Sequence, residues 1–206
     1  MDQQTPDWVN VSRETLDDLQ AFHDLVLKWT PRINLVSAKA QKDLWSRHIW
    51  DSWQILEHIQ VDRVKHWVDI GSGGGFPGIV CAIALKSTNF TGDFSLIESD
   101  ARKSQFLRTC SREIGLNVEV INKRIEVADI IGCDLVTARA LAPLTQLLEM
   151  SDPLLDDSGA LIAMKGANYQ IEIEDARQKW RFDCVSHASK TDPDAAILKI
   201  GSISYA

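Results

Sequence analysis

The fold of this chain is decided by one stretch, His66-Trp67-Val68-Asp69-Ile70-Gly71-Ser72-Gly73-Gly74-Gly75-Phe76-Pro77-Gly78. It predicts a strand over 66–71, a tight glycine-rich turn, and a helix over 77–86. Glycine tolerates positive φ and lets a ligand approach the backbone closely, and Pro77 suits the first helical position, where its missing N–H is no loss. The backbone N–H groups of such a turn form a site for a ligand that carries acceptor atoms or negative charge.

Length and composition predict a globular domain with room for a short appendage. The 206 residues are 45% hydrophobic and 25% charged, which is ordinary for a folded domain. The four cysteines form neither a CxxC pair nor a Cys/His cluster with zinc-ligand spacing, so we expect reduced thiols, no metal and a cytoplasmic location. The acidic, polar N-terminus does not resemble a signal peptide, and no apolar run approaches the ~18 residues of a membrane span.

The distribution of charge qualifies the net charge of −7. An acidic chain is an unusual nucleic-acid binder as a whole. Basic residues are nevertheless concentrated in segments 28–47 and 102–124, whereas acidic residues gather at 149–157 and 172–175. The two basic segments are therefore either solvated helix faces or a surface for RNA.

The first 60 residues show a helical pattern. Apolar residues recur at three- and four-residue steps, which predicts helices over 12–29 and about 41–59. Ser12 is the expected N-cap of the first helix, and Thr30-Pro31 is expected to end it. Four of the seven tryptophans fall in these helices, where they either pack on the sheet or form an aromatic wall for a flat ring.

From Trp67 onward, predicted strands alternate with predicted helices. We expect an α/β fold with a doubly wound, mostly parallel sheet. The predicted strands are at 66–71, 94–98, 118–121, 134–138 and 159–164, with two weaker ones near 182–187 and 196–200. The predicted helices are at 77–86, 101–114, 141–150 and 168–180. The expected organisation is an N-terminal helical segment, 1–60, and an α/β domain, 61–206, in one compact unit.

The glycine turn fits two cofactor patterns. Gly73-x-Gly75-x-x-Gly78 formally matches the GxGxxG of dinucleotide enzymes, which keeps an NAD(P)-dependent oxidoreductase as an alternative. In that fingerprint, however, the first glycine directly follows the strand. Here that glycine is Gly71, and counting from it places Phe76 where the third glycine should be.

The second pattern is Asp69-x-Gly71-x-Gly73-x-Gly75 with an acid, Glu98, at the end of the next strand. This pattern is typical of class I S-adenosylmethionine methyltransferases with a Rossmann-like fold. Gly71 and Gly73 can pass close to the methionyl part of that cofactor, and Glu98 can accept both ribose hydroxyls. Asp69 is expected either to order the turn or to reach the cofactor amine through water.

Further pieces extend the pattern from about residue 34 to residue 166. In chain order they are Asn34-Leu35-Val36-Ser37, Arg47-His48-Ile49-x-Asp51-Ser52, Arg102-Lys103, Phe106-Leu107-Arg108, Arg124-Ile125-Glu126, Arg139-Ala140 and Lys165-Gly166. Together with the glycine turn, their order and spacing resemble the RsmG (GidB) family. The resemblance implies S-adenosylmethionine as the cofactor and methylation of N7 of one guanine in 16S ribosomal RNA, with this RNA or the small ribosomal subunit as the partner.

The same resemblance implies that Gly71, Phe76, Ile125, Glu126 and Arg139 contact or frame the cofactor. Ile125 and Glu126 follow the third predicted strand, and Arg139 follows the fourth, so both places lie at the edge where open α/β sheets bind ligands. Ile125 could pack on adenine. Arg139 could hold the cofactor carboxylate, an RNA phosphate or the guanine, and the sequence leaves these open.

His48 and Asp51 lie three residues apart on a predicted helix, a spacing that lets their side chains touch. Guanine N7 carries a free lone pair, so its methylation needs no prior proton abstraction. We therefore expect His48 and Asp51 to be structural or to contact RNA, and we assign no catalytic acid or base. Two alternatives remain open beside the oxidoreductase: a small-molecule methyltransferase, and a protein that senses S-adenosylmethionine without chemistry.

Overall fold

The structure is a computed structural model that describes residues 5–206; the first four residues of the predicted N-terminal segment lie outside this part. Seven strands form one sheet in the order β3-β2-β1-β4-β5-β7-β6. The strands are β1 (His66–Ile70), β2 (Asp93–Ile97), β3 (Glu119–Ile121), β4 (Cys133–Arg139), β5 (Leu155–Lys165), β6 (Trp180–Ala188) and β7 (Ala196–Tyr205). The first five strands pair in parallel, and β7 pairs antiparallel with both β5 and β6. The predicted doubly wound, mostly parallel sheet is confirmed.

The strand order reverses between β1 and β4, which are adjacent in the sheet. In open α/β sheets, such a switch point opens a crevice at the carboxyl ends of the strands, and ligands bind there. The glycine turn follows β1 directly, so the fold places it in this crevice. The two strands predicted as weak are longer than expected and form an antiparallel pair with a register shift between Arg181 and Asp183.

The helices are α1 (Arg13–Ile33), α2 (Ala38–Gln41), α3 (Asp51–Trp53), α4 (Gly78–Lys86), α5 (Ala101–Ile114), α6 (Leu144–Ser151) and α7 (Tyr169–Ala176). Helix α5 ends at Gly115 in the left-handed conformation, as predicted. Helix α1 starts after Ser12, whose Oγ accepts the Thr15 N–H at 3.1 Å. The predicted end of this helix at Pro31 is wrong, because the helix continues to Ile33. A proline in the last turn lacks only its own N–H, and the Asn34 N–H still donates to the Thr30 carbonyl at 2.9 Å.

The prediction of a single helix over 41–59 is also wrong. After α2, the chain forms a π-helical turn over Trp45–Trp50, then α3, then a 3₁₀ turn over Gln54–His58. π-Helical turns are rare and occur frequently at functional sites. This segment bears Arg47, His48 and Asp51. Their long-range contacts, described below, hold it in a helical geometry that the spacing of apolar residues could not predict.

The N-terminal helices pack on the same face of the sheet as α4 and α5. Phe22 of α1 lies 5.1 Å from Phe76 and 6.5 Å from Phe106 between ring centroids. Trp29 lies 5.7 Å from Phe106 between ring centroids. It therefore packs in the core on this face of the sheet, which was one of the two roles expected for the tryptophans. Helices α6 and α7 supply a second core on the opposite face. Within residues 5–206, no helix is both long and apolar enough to span a membrane.

Candidate active site

A cavity of about 420 Å³ opens at the carboxyl ends of β1, β2 and β4. Its volume lies in the range of small-molecule sites. All the residues predicted to bind the cofactor line it: Gly71, Gly73, Phe76, Glu98, Ile125, Glu126 and Arg139. The structure thus brings the predicted residues together. It adds several that sequence reasoning did not assign to a site, namely Lys103, Lys123, Arg124, Leu141 and Met150.

The glycine turn is held in conformations that disfavour side chains. Gly71, Gly73 and Gly75 have φ of +65°, +52° and +87°, in the region that glycine alone adopts at no steric cost. A Cβ at Gly71 would come within 2.6 Å of Leu141 Cδ1. The bare backbone of this turn therefore forms the floor of the cavity.

Glu98 ties the turn to the neighbouring strand. Its Oε2 accepts the Gly73 N–H at 2.9 Å, and its Oε1 accepts the Asp100 N–H at 2.7 Å. The side chain is buried, with a residue exposure of 7%. Each carboxylate oxygen keeps a second lone pair, so both can still accept from a ligand, and two adjacent hydroxyls of a sugar fit that capacity.

Asp69 lies beneath the turn and does not line the cavity. Thr137 Oγ1 donates to its Oδ1 at 2.7 Å, and Trp67 Nε1 donates to Thr137 Oγ1 at 3.1 Å. Burial raises the pKa of Asp69 to about 7, against the lowering effect of the Thr137 hydrogen bond. Of its two expected roles, the structure supports ordering of the turn.

Ile125 and Glu126 begin a 3₁₀ turn, Ile125–Val127, that follows β3. Ile125 is half-buried, and Ile97 and Met150 line the same cavity, so this part of the wall is apolar and suits a flat ring. Glu126 is exposed at the rim. The turn matches the expectation that residues after the third strand reach the ligand edge of the sheet.

Arg139 joins the end of β4 to the N-terminal helical segment. Its Nε lies 3.4 Å from Asp51 Oδ2, and its Nη2 donates to the Arg47 carbonyl at 2.7 Å. Its guanidinium carbon lies 5.8 Å from the Phe76 ring centroid. The side chain is 15% exposed. Among residues 5–206, its polar contacts are all with the segment that bears Asp51, which the sequence did not predict.

His48 also contacts Arg139, with Nη2 at 2.6 Å from His48 Nδ1. Burial, followed by the charges of Arg139 and Arg47, lowers the pKa of His48 to about 3, so the ring is neutral. An arginine can only donate. His48 Nδ1 is therefore the acceptor and Nε2 carries the proton. This Nε2–H is buried and has no partner within residues 5–206.

A second cavity, of about 770 Å³, adjoins the first. The residues that line both are Leu35, Val36, His48, Arg139 and Ala140. One wall is a hydrogen-bonded group in which Asp51 Oδ1 accepts from both Thr191 Oγ1 and Gln54 Nε2. Sequence reasoning missed this cavity, because Thr191 and Asp51 are 140 residues apart in the chain and no local motif joins them.

The two cavities can hold two ligands whose reacting atoms meet beside His48 and Arg139. The first offers a glycine turn, a carboxylate and an apolar wall, which suit a nucleoside cofactor. The second is lined by the cations Lys39, Arg47 and Lys165, of which Lys165 is paired with Glu172, and by the acids Asp43, Asp51, Glu172 and Asp192. Within the described residues, no three His, Cys, Asp or Glu side chains are grouped as metal ligands would be.

Comparison with known proteins decides the family. The model of one family, described as GidB, rRNA small subunit methyltransferase G, matches residues 15–195. This chain belongs to the GidB family. It is 46% identical over 195 residues to the ribosomal RNA small subunit methyltransferase G of Ruegeria sp. (strain TM1040), a match that covers 95% of this chain and 94% of the relative. It is 47% identical over 191 residues to the protein of the same name from Gluconobacter oxydans, which covers 92% and 95%. The resemblance found in the sequence is confirmed.

Solved structures agree with the fold. An SAH-bound methyltransferase from Podospora anserina superposes on this GidB chain with a TM-score of 0.58 at 13% identity, over 96% of this chain and 99% of the other. At that identity the likeness concerns the fold alone. It agrees with the doubly wound, Rossmann-like fold that the sequence predicted.

Proposed function

We propose that this chain transfers a methyl group from S-adenosylmethionine to N7 of one guanine in 16S ribosomal RNA. The observation that carries the proposal is the glycine turn bonded to Glu98 at the switch point of the sheet, in a chain of the GidB family. Neither an NAD(P)-dependent oxidoreductase nor a small-molecule methyltransferase is favoured by a specific feature of the two cavities.

The cofactor-binding residues are those predicted from the sequence. Glu98 holds the ribose through its unused lone pairs, and Ile125 packs on the adenine. The backbone of Gly71 and Gly73 lies along the methionyl part, because no side chain stands in the way. Phe76, Glu126 and Arg139 frame the remaining sides of the cavity.

The chemistry requires no protein acid or base. Bound S-adenosylmethionine supplies a methyl group on a sulfonium: the N7 lone pair forms the new C–N bond, the C–S electron pair stays on sulfur, and the positive charge passes to the base. The residues around the junction of the cavities therefore act by positioning the base and excluding water. Such positioning is worth up to ~7–11 kcal/mol of activation free energy in favourable systems.

RNA binding is assigned to cations at the rims of both cavities. Lys39 and Arg47 line the second cavity, and Lys123 and Arg124 line the first. These residues come from the two basic segments of the sequence, which supports the RNA surface over the alternative of solvated helix faces. Because the reacting atom must reach the junction, the guanine leaves its stack to enter the second cavity.

We further infer that the N-terminal segment, 1–60, and the methyltransferase domain, 61–206, act as one unit. The segment supplies Leu35, Val36 and His48 to the walls of both cavities, so neither site is complete without it. All four cysteines are free, three of them buried. Free thiols and a ribosomal substrate support a cytoplasmic location.

The test is methyl transfer from tritiated S-adenosylmethionine to small ribosomal subunits from cells that lack this protein. We expect one labelled nucleoside, 7-methylguanosine, identified by mass spectrometry after digestion. Titration with NADH serves as the control for the oxidoreductase alternative. Tight binding of S-adenosylmethionine without transfer to subunits or to naked 16S RNA would instead favour the sensor, and label in a small-molecule fraction would favour the small-molecule alternative.

A further inference from the structure

The second cavity has a wall whose polar groups are almost all paired. Gln54 Nε2 donates to Asp51 Oδ1 at 2.9 Å and to Ser189 Oγ at 3.0 Å, and Gln54 Oε1 accepts the Lys190 N–H at 2.8 Å. Asp51 in turn bonds to Arg139. A satisfied network of this kind holds its members in one arrangement. The wall is therefore built before any ligand arrives.

One donor in this wall is left over. The proton on His48 Nε2, assigned above from the bond between Nδ1 and Arg139, meets no acceptor within residues 5–206. A buried donor without a partner destabilises the folded state and calls for an explanation. Because His48 lines both cavities, the missing acceptor belongs to a ligand at their junction.

The chemistry of the junction selects the ligand. The transferred methyl group has no lone pair, and the sulfonium sulfur is positively charged, so neither accepts from an N–H donor. Guanine, in contrast, carries the acceptor O6 on the same ring edge as N7, whereas adenine carries an amino donor at that position. A hydrogen-bond donor beside the N7 position can therefore bond to O6 of guanine, whereas the amino group of adenine would face it with a second donor.

We propose that His48 Nε2–H donates a hydrogen bond to O6 of the target guanine and selects guanine over adenine. This proposal rests on the proposed function. The nitrogen is closed to solvent in the ligand-free arrangement, so the base displaces atoms beside it. Leu35, Val36 and Ala140 are the apolar residues that line both cavities. The ring donates as a neutral group, so it does not oppose the positive charge that the base acquires.

Two variants separate this role from a structural one. His48→Asn keeps an acceptor near the Nδ1 position for Arg139 but has no donor near Nε2. His48→Gln places an amide N–H near the Nε2 position. We expect kcat/KM for methylation of small subunits to fall about 10- to 100-fold in His48→Asn and to be restored to within about 5-fold of wild type in His48→Gln. The dissociation constant of S-adenosylmethionine, measured by calorimetry, should change less than about 3-fold in both.

Each other outcome has a distinct meaning. If Asn is as active as wild type, or more active than Gln, His48 acts only by holding Arg139 and the proposal is wrong. If Asn weakens S-adenosylmethionine binding in proportion to its loss of activity, the donor serves the cofactor and the proposal is also wrong. Failure of the proposed function is read separately, from the wild-type protein, which would then form no 7-methylguanosine at all. Thermal unfolding of both variants checks that they fold.

Discussion

The two cavities of this protein are built in different ways. Most residues of the first follow β1, β2, β3 or β4, at the ends of strands in a parallel βαβ arrangement, and the N-terminal segment adds Leu35, Val36 and His48. The second is assembled from the N-terminal helices, the end of β5 and the connection between β6 and β7. Arg139 and His48, which lie at the boundary, are 91 residues apart in the chain. A cavity of the first kind follows from the fold, whereas the second depends on polar contacts between segments that are far apart in the chain.

This difference predicts that variants of the glycine turn affect cofactor binding first, and variants of the Arg139 contacts affect methyl transfer first. The predictions below test that separation, from the largest expected effect to the smallest.

The largest effect is expected for Gly71→Asp. The φ of +65° disfavours any side chain, a Cβ would force Leu141 Cδ1, 2.6 Å away, to shift, and the added carboxylate would enter the cofactor cavity. We expect the affinity for S-adenosylmethionine, measured by calorimetry, to fall at least about 100-fold, and methyl transfer, measured with tritium label, to be lost. Strain at positive φ should also lower the free energy of unfolding by of order 1–3 kcal/mol.

Gly115→Ala is the matched control for Gly71. Gly115 has a similar φ, +72°, but an added Cβ would meet nothing within 4 Å. It should lower the free energy of unfolding by about 1 kcal/mol and leave cofactor affinity unchanged. An active Gly71→Asp protein that binds the cofactor normally would refute the assignment of the turn.

The next effect concerns Asp51→Asn. Loss of the carboxylate leaves the buried guanidinium of Arg139 without its ion-pair partner at 3.4 Å. Breaking a buried pair costs about 3–5 kcal/mol, and the 15% exposure of both side chains places the expected cost nearer 2 kcal/mol in unfolding free energy. Methylation of subunits should fall at least about 10-fold, whereas the dissociation constant of S-adenosylmethionine should change less than about 3-fold.

Asp62→Asn serves as the control for Asp51, because Asp62 is exposed on a 3₁₀ turn, Val61–Arg63, away from both cavities. It should match the wild type in stability, cofactor affinity and transfer. If Asp51→Asn instead loses cofactor affinity as severely as Gly71→Asp, the two cavities are not separable and the comparison fails.

A further effect is expected in the pH dependence of stability. Burial raises the pKa of Asp69 to about 7 in the folded state, from about 3.9 in an unfolded chain. The folded protein thus keeps this proton over a range in which the unfolded chain releases it, so the contribution of Asp69 to stability is full below about pH 4 and is lost as the pH rises to 7.

Asp69→Asn removes this dependence. The unfolding free energy of the wild type minus that of the variant should therefore fall by up to about 4 kcal/mol between pH 4 and pH 8, measured by urea unfolding at several pH values. A difference that stays constant, or that rises with pH, would show that Asp69 is ionised in the folded protein throughout this range.

The smallest effect is expected for single cations at the rims. Lys39→Gln, at the second cavity, should weaken binding to small subunits modestly and lower the slope of log affinity against log salt by about 0.7, the value for one phosphate of a single strand. Lys179→Gln, exposed after α7 and lining neither cavity, should leave the slope unchanged. An equal response of the two variants would exclude Lys39 from the RNA surface.

The sequence predicted the first cavity well because its signals are local. The strand before Gly71 and the acid at Glu98 can be read from spacing alone, and their meeting follows from parallel pairing of β1 with β2. The family resemblance added Ile125, Glu126 and Arg139. The bond from the Gly73 N–H to Glu98 could not be predicted, because it depends on the conformation of the turn.

The second cavity could not be predicted for a physical reason. Its wall depends on contacts such as Gln54 with Ser189, 135 residues away, which no helical or strand periodicity encodes. Long-range contacts of Arg47 and His48 with Arg139 likewise hold the segment Trp45–Trp50, where a π-helical turn replaces the predicted α-helix. The sequence indicated His48 and Asp51 as structural or RNA-contacting residues, but not that Arg139 joins them.

The most direct test of the account is a crystal structure of the protein with S-adenosylhomocysteine, the product of methyl transfer. The account predicts both ribose hydroxyls on Glu98, the methionyl part against Gly71 and Gly73, and the sulfur facing the boundary of the two cavities beside His48. A ligand bound elsewhere, or a ribose that makes no contact with Glu98, would contradict it.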